Sequence, residues 1–218
     1  MNRKNTGIRM SGKALLFING EAPKSLPDPE FYGLIACTDG AFHYLKRQHF
    51  PLEKLDFISG DFDSHTGNDE NVYQDKFIFT PDQNKTDFHK ALEIILQKGF
   101  TEVDVLGGSG GEQDHFLGNL TVAYMFKDRM NILFYDEFSE YFFIPKNFSL
   151  TGIQGRMVSL YPFPSADHIV TKGLNWPLEN EALNITSRLG TRNFAAENEI
   201  SVSYETGDLL IFIGKPYY

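Results

Sequence analysis

KFIFTPDQNKTDFHKALEIILQKGFTEVDVLG, residues 76–107, changes its hydrophobic period twice within a short stretch. Residues 76–80 form a short apolar run, as a buried strand requires. Phe88, Ala91, Leu92 and Ile95 then fall at i, i+3, i+4 and i+7, which predicts a helix over 87–98. Thr86 or Asp87 caps its start and Gly99 stops it. Residues 103–107 return to a strand. The same alternation extends in both directions. Runs at 14–18, 34–38, 56–60 and 131–135 read as strands, Ala41, Tyr44, Leu45 and Gln48 are spaced like a helix, and a further helix spans about 114 to 127. Strands and helices in this order predict an α/β, Rossmann-like, mostly parallel sheet with helices on both faces over residues 13–136. Ligands of such sheets sit at the carboxyl ends of the strands.

Beyond residue 137 the helical period disappears, and turns rich in Gly, Pro and Asn separate apolar runs at 157–161, 168–172, 200–204 and 209–213. The last two flank Glu205-Thr206-Gly207-Asp208, which reads as a hairpin loop. A second, all-β domain over 137–218 is expected, and residues 1–12, basic and polar, read as a mobile arm.

Bulk properties narrow the function. The 218 residues carry 20 basic and 29 acidic side chains, a formal charge of −9, so neither nucleic acid nor an anionic membrane surface is an expected partner. A nucleotide remains compatible, because a divalent cation can join acidic side chains to phosphates. The apolar runs are too short to cross a membrane. The single cysteine, Cys37, cannot close an intramolecular disulfide, which fits a reducing, cytoplasmic setting.

Acidic residues recur where strands end. In ISGDFDS, residues 58–64, an extended backbone points Asp61 and Asp63 the same way, so both can reach one Mg²⁺. An Asp/Gly/Ser turn without metal reads the same residues equally well. An EF-hand loop is excluded, since its sixth and twelfth positions hold Thr66 and Val72. Gln83 and Asp87 flank the entrance of the best helix, and Asp39 stands where a strand passes into a helix; each alone also reads as a cap or turn. Gly107, Gly108, Gly110 and Gly111 join a strand to a helix, where backbone N–H groups and the helix start can meet an anion. The turn is neither a Walker loop nor G-x-G-x-x-G. His115 in the next turn reads as structural or as a site residue.

Together these segments resemble the thiamine pyrophosphokinase family: Asn19-Gly20, Asp39-Gly40, Gly60–Ser64, Gln83 with Thr86-Asp87, Gly110-Gly111 with Asp114-His115, Gly173-Leu174-Asn175-Trp176, and Thr191-Arg192-Asn193, all in the family's order. The resemblance implies an α/β catalytic domain, a C-terminal β-sandwich, and a homodimer with sites at the subunit interface. It implies transfer of pyrophosphate from ATP to thiamine, with Mg²⁺ required. Carried over by position, Asp61, Asp63 and Asp87 would hold the metal, with Asp39 in the same acidic centre. Asn19, Gly108, Ser109, Gly110, Gly111, Asp114 and His115 would address the nucleotide. Gln83, Thr86, Trp176, Arg192 and Asn193 would address thiamine. The chain departs from the family in having Glu112 where Arg is usual and Arg192 where Ser is frequent, which leaves Arg192, Arg188 or Lys85 to neutralise the triphosphate. The indole of Trp176, the only tryptophan, suits a cationic ring; it also reads as a turn residue before Pro177.

Three other readings compete. A haloacid-dehalogenase-type phosphatase also uses Asp-x-Asp, but wants Thr or Val where His65 stands. A DxD glycosyltransferase leaves Gln83, Asp87 and Trp176 unexplained. A non-catalytic thiamine or nucleotide sensor would be marked by Glu112 and Arg192.

Overall fold

A computed structural model describes residues 12–61 and 73–216. Residues 1–11, all but the last of the expected arm at 1–12, the stretch 62–72, with Asp63, and residues 217–218 lie outside the described residues. The chain divides into two compact units after Asp136. Among the described residues no helix is long and apolar enough to cross a membrane.

In the first unit, β1 (Lys13–Phe17), β2 (Leu34–Thr38), β3 (Phe57–Gly60), β4 (Phe77–Phe79), β5 (Glu102–Leu106) and β6 (Asn131–Tyr135) pair in the order β4-β3-β2-β1-β5-β6. Every pairing is parallel. The chain works outward from β1 to β4 on one side, then restarts on the other side with β5. The crevice where the order reverses, between β1 and β5, is where such sheets receive ligands.

Side-chain alternation decides where the helices go. Leu15, Phe17, Ile35, Cys37 and Ile58 share one face and pack with Ala41, Phe42, Tyr44 and Leu45 of α1 (Asp39–Arg47). Leu16, Val105 and Phe134 are in register on the opposite face, where Phe88 of α2 (Asp87–Gln97) meets Phe134 at a ring distance of 5.7 Å. His89 of α2 meets Phe126 of α3 (Gln113–Phe126) at 5.2 Å, joining those two helices. Each large apolar side chain so buried contributes about 1.5–3 kcal/mol, which is what makes this pattern decisive.

The predicted helix over 87–98 forms for the expected reasons. Phe88, Ala91, Leu92 and Ile95 are buried, the His89 N–H donates to Thr86 Oγ1 (3.2 Å), and Gly99 ends the helix at φ +89°.

The second unit is antiparallel. It contains β7 (Ser139–Ile144), β8 (Asn147–Thr151), β9 (Met157–Lys172), β10 (Glu179–Asn184), β11 (Gly190–Phe194), β12 (Glu199–Ser203) and β13 (Thr206–Gly214). Two expectations need correction. The runs at 157–161 and 168–172 are one strand, β9, of 16 residues. The hairpin expected at 205–208 is absent, because β12 and β13 lie end to end along the same edge of β9. Val170 and Ala166 each pair with β10 on one side and with β12 or β13 on the other. Between the two strands the backbone keeps its bonds to both neighbours: Tyr204 N donates to Lys146 O (3.0 Å) and Glu205 N to Asp167 O (3.1 Å).

The same logic organises the whole unit. β7 and β8 flank β13 and β12 respectively, and β11 and β10 follow the far edge of β9. The result is a sheet of four long ribbons, three of them interrupted midway. Val158, Leu160, Ile211 and Ile213 from one half share a single core with Ile169, Leu183, Ile200 and Val202 from the other. The molecule is thus mixed α/β, with parallel pairing in one unit and antiparallel pairing in the other.

Candidate active site

A cleft of about 440 Å³ opens in the first unit where its parallel strands end. Each strand from β1 to β5 is followed by a segment that brings a polar residue to it. Asn19 and Gly20 follow β1, Asp39 opens α1 directly after β2, and Asp61 follows β3. Gln83, Thr86 and Asp87 arrive on the entrance to α2, and Gly110, Asp114 and His115 on the turn from β5 into α3.

Two glycines make this convergence possible. A Cβ on Gly60 would stand 2.4 Å from Asp39 Cγ, and one on Gly40 would stand 2.5 Å from Asn19 Cγ. Real Cβ atoms do not approach that closely, so the carboxylate of Asp39 and the amide of Asn19 occupy space that any other residue would fill. Asp39 is buried and accepts the N–H of Gly40 at 2.6 Å. Beneath it, burial and then the Asp39 charge push the Cys37 thiol well above its ordinary range, so it stays protonated.

The other acids have partners. Gln83 Nε2 donates to Asp61 Oδ2 at 3.2 Å, and Lys90 Nζ lies 2.7 Å from Asp87 Oδ1. Lys90 also donates to the Thr80 carbonyl at 2.7 Å and is almost wholly buried. Sequence reasoning passed over Lys90. Its signal was the i, i+3 spacing from Asp87, which sets both on one helical face. Asn84, Phe116 and Asn119 also line the cleft without having been anticipated.

Among the described residues no three of His, Cys, Asp and Glu cluster as a ready-made metal cage. The cleft still suits Mg²⁺, because Asp39 and Asp61 offer hard carboxylate oxygens and Mg²⁺ takes only one or two of these beside phosphate and water. Gly108, Ser109 and Gly111 belong to the same turn as Gly110 but are not cleft lining; Gly108 O accepts Asn119 Nδ2 (3.0 Å) and Ser109 O accepts Glu21 N (2.9 Å). Of the cations considered for the triphosphate, Lys85 lines the cleft but pairs with both oxygens of Glu93 at 2.7 and 2.9 Å. Arg188 pairs with Glu181. The Arg188 guanidinium, with the Glu179 N–H, holds the Glu181 carboxyl below its usual range.

In the second unit Trp176 is 59% exposed, with Phe194 at a ring distance of 6.3 Å. Asn193 Nδ2 donates to Trp176 O at 2.7 Å, and Trp176 N donates to Asn193 Oδ1 at 3.1 Å. Arg192 has φ +59°, and its N–H donates to Ser159 Oγ at 2.9 Å.

Residues 31–134 match the family model described as thiamin pyrophosphokinase, catalytic domain, and residues 143–209 match thiamin pyrophosphokinase, vitamin B1 binding domain. The chain is similar to thiamine pyrophosphokinase 2 of Arabidopsis thaliana, at 30% identity over 90% of this chain and 84% of that protein. It is also 31% identical to thiamine pyrophosphokinase 1 of Oryza sativa subsp. japonica over 70% of this chain. The aligned part spans 64% of that relative's length, and 65% for the rice protein called thiamine pyrophosphokinase 3. Solved structures share the fold: a thiamin pyrophosphokinase family protein from Enterococcus faecalis at TM-score 0.80, with 20% identity over 94% of this chain and all of that one. Thiamin pyrophosphokinase from Candida albicans gives 0.79, with 16% identity over 96% and 90%. Two models matched in chain order, and a plant relative aligned along nine tenths of the sequence, agree with the acidic cleft already described: the chain belongs to the thiamin pyrophosphokinase family.

Proposed function

We propose that the protein transfers a pyrophosphoryl group from ATP to the hydroxyl of thiamine, giving thiamine diphosphate and AMP. The observation that carries this reading is the meeting of Asp39, Asp61, Gln83 and Asp87, from separate chain segments, in one cleft at the strand ends of a chain of this family. The first unit is read as a Rossmann-like catalytic domain and the second as a β-sandwich that binds thiamine and mediates a homodimer.

The thiamine hydroxyl is a weak nucleophile, and transfer depends on alignment and charge neutralisation. Asp39 and Asp61, with Asp63 outside the described residues, would hold Mg²⁺. When bound, Mg²⁺ draws negative charge from the phosphate oxygens and holds them in one orientation. The Gly110 turn and the start of α3 present N–H groups and positive helix potential to the phosphate tail. Asp87, anchored by Lys90, orients the hydroxyl and takes its proton as the oxygen bonds to the β-phosphorus and AMP departs. Trp176 offers its face to the cationic thiazolium.

One assay tests the reading. Pure protein is incubated with ATP, Mg²⁺ and thiamine, and the nucleotide product is identified. AMP formed only with thiamine, and lost on chelation of the metal, is expected. ADP, phosphate released without thiamine, or no turnover would overturn it.

A further inference from the structure

We propose that Asn193 is a positioning residue: its carboxamide grips the main chain of Trp176 and holds the indole as a fixed, solvent-facing platform for a flat cationic heterocycle. The ligand class rests on the functional reading above; the grip does not.

A tryptophan that is 59% exposed on an irregular segment should move freely, since little apolar packing restrains it. Here its peptide groups are tied on both sides. Asn193 Nδ2 donates to the Trp176 carbonyl (2.7 Å), and the Trp176 N–H returns a bond to Asn193 Oδ1 (3.1 Å). The same oxygen accepts the Phe194 N–H (2.8 Å), which fixes the carboxamide itself. On either side, Asn175 N donates to Phe194 O (2.9 Å) and Leu178 N to Thr171 Oγ1 (2.8 Å).

This two-way bond demands a side chain with one donor and one acceptor on a short stem. Aspartate lacks the donor, and glutamine is a methylene longer. The backbone is bent to supply it. Arg192 takes the left-handed region at φ +59°, unfavourable for a residue with a Cβ, and the pairing of β11 with β9 shifts register between Gly190 and Asn193. Both lone pairs of the Asn193 oxygen are occupied and one Nδ2–H is spent on the Trp176 carbonyl, which leaves a single N–H for any direct contact and makes the indole the main surface through which Asn193 acts on a ligand.

Trp176 is the only tryptophan, so its emission reports this one position. In the full-length protein, time-resolved fluorescence anisotropy should show an indole with little local motion. Asn193→Ala should roughly double the amplitude of the fast local component. Asn193→Asp, which still accepts both N–H groups but cannot donate to the Trp176 carbonyl, should fall between. KM for thiamine should rise in the same order, about tenfold for Asn193→Ala, with kcat and KM for ATP within about twofold. A raised KM with unchanged indole motion overturns the proposal, because Asn193 would then touch the ligand itself. A freed indole with unchanged KM overturns the platform. Should the alanine variant not fold, the aspartate variant carries the same comparison. If the wild type makes no thiamine-dependent AMP, the functional reading falls, while the anisotropy still decides the grip.

Discussion

At the scale of single residues, the cleft depends on what is missing as much as on what is present. Gly60 leaves room for the buried Asp39 carboxylate, whose Cγ stands 2.4 Å from where a Cβ would lie. Gly60→Ala should therefore displace Asp39 and destabilise the protein by about 1–3 kcal/mol, read by denaturant unfolding, with a matching loss of AMP formation. Asp61 separates chemistry from stability. It lies at the cleft, where Asp61→Asn removes a charge proposed to hold Mg²⁺ without opening the core, so turnover should fall roughly 100-fold or more while the melting temperature holds. Equal losses of stability in both variants would contradict these separate roles. The sequence made Asp39, Asp61 and Asp87 visible, because a carboxylate at a strand end stands out. It hid Lys90, since a lysine within an amphipathic helix looks solvated until the fold buries it.

At the scale of elements, local signals sufficed wherever one element buries one face. The i, i+3, i+4, i+7 pattern of Phe88 to Ile95, with Thr86 before it and Gly99 after it, placed α2 within a residue of its observed bounds. Thr86 accepts the His89 N–H, so Thr86→Ala should cost about 0.5–2 kcal/mol, measured by thermal or urea unfolding, and Thr86→Ser should recover most of it. The β strands of the second unit were less legible. β10 buries only Leu183, and β8 alternates but presents just two half-buried apolar residues, Phe148 and Leu150, so neither made an apolar run long enough to read as a strand. Residues 205–208 have hairpin composition, yet the Tyr204 and Glu205 N–H groups find acceptors on Lys146 and Asp167 and the chain runs on without reversing. Composition signals that a chain can turn, while the acceptors within reach decide whether it does.

At the scale of the whole molecule, Cys37 reports the integrity of the first unit. It is wholly buried in the core cluster that includes Phe17, Ala41 and Leu45, where burial holds the thiol protonated. Thiolate is the reactive form, so a soluble disulfide reagent should leave the folded protein essentially untouched through the neutral range and label it only on unfolding, on the order of 10³-fold faster in denaturant. Rapid labelling of the native protein would mean that the parallel sheet opens far below its global stability. By itself the sequence determined the alternation of strands and helices in the first unit, the acids at the strand ends and the family, because these rest on period, local backbone freedom and short motifs. Only the tertiary structure decided that β12 and β13 share one edge of β9, that Lys90 is buried against Asp87, and that Asn193 grips Trp176. The physical reason is that each of these depends on geometry that no local window contains: the edge a strand takes, the depth of a helix face, or a hydrogen bond across 17 residues of chain.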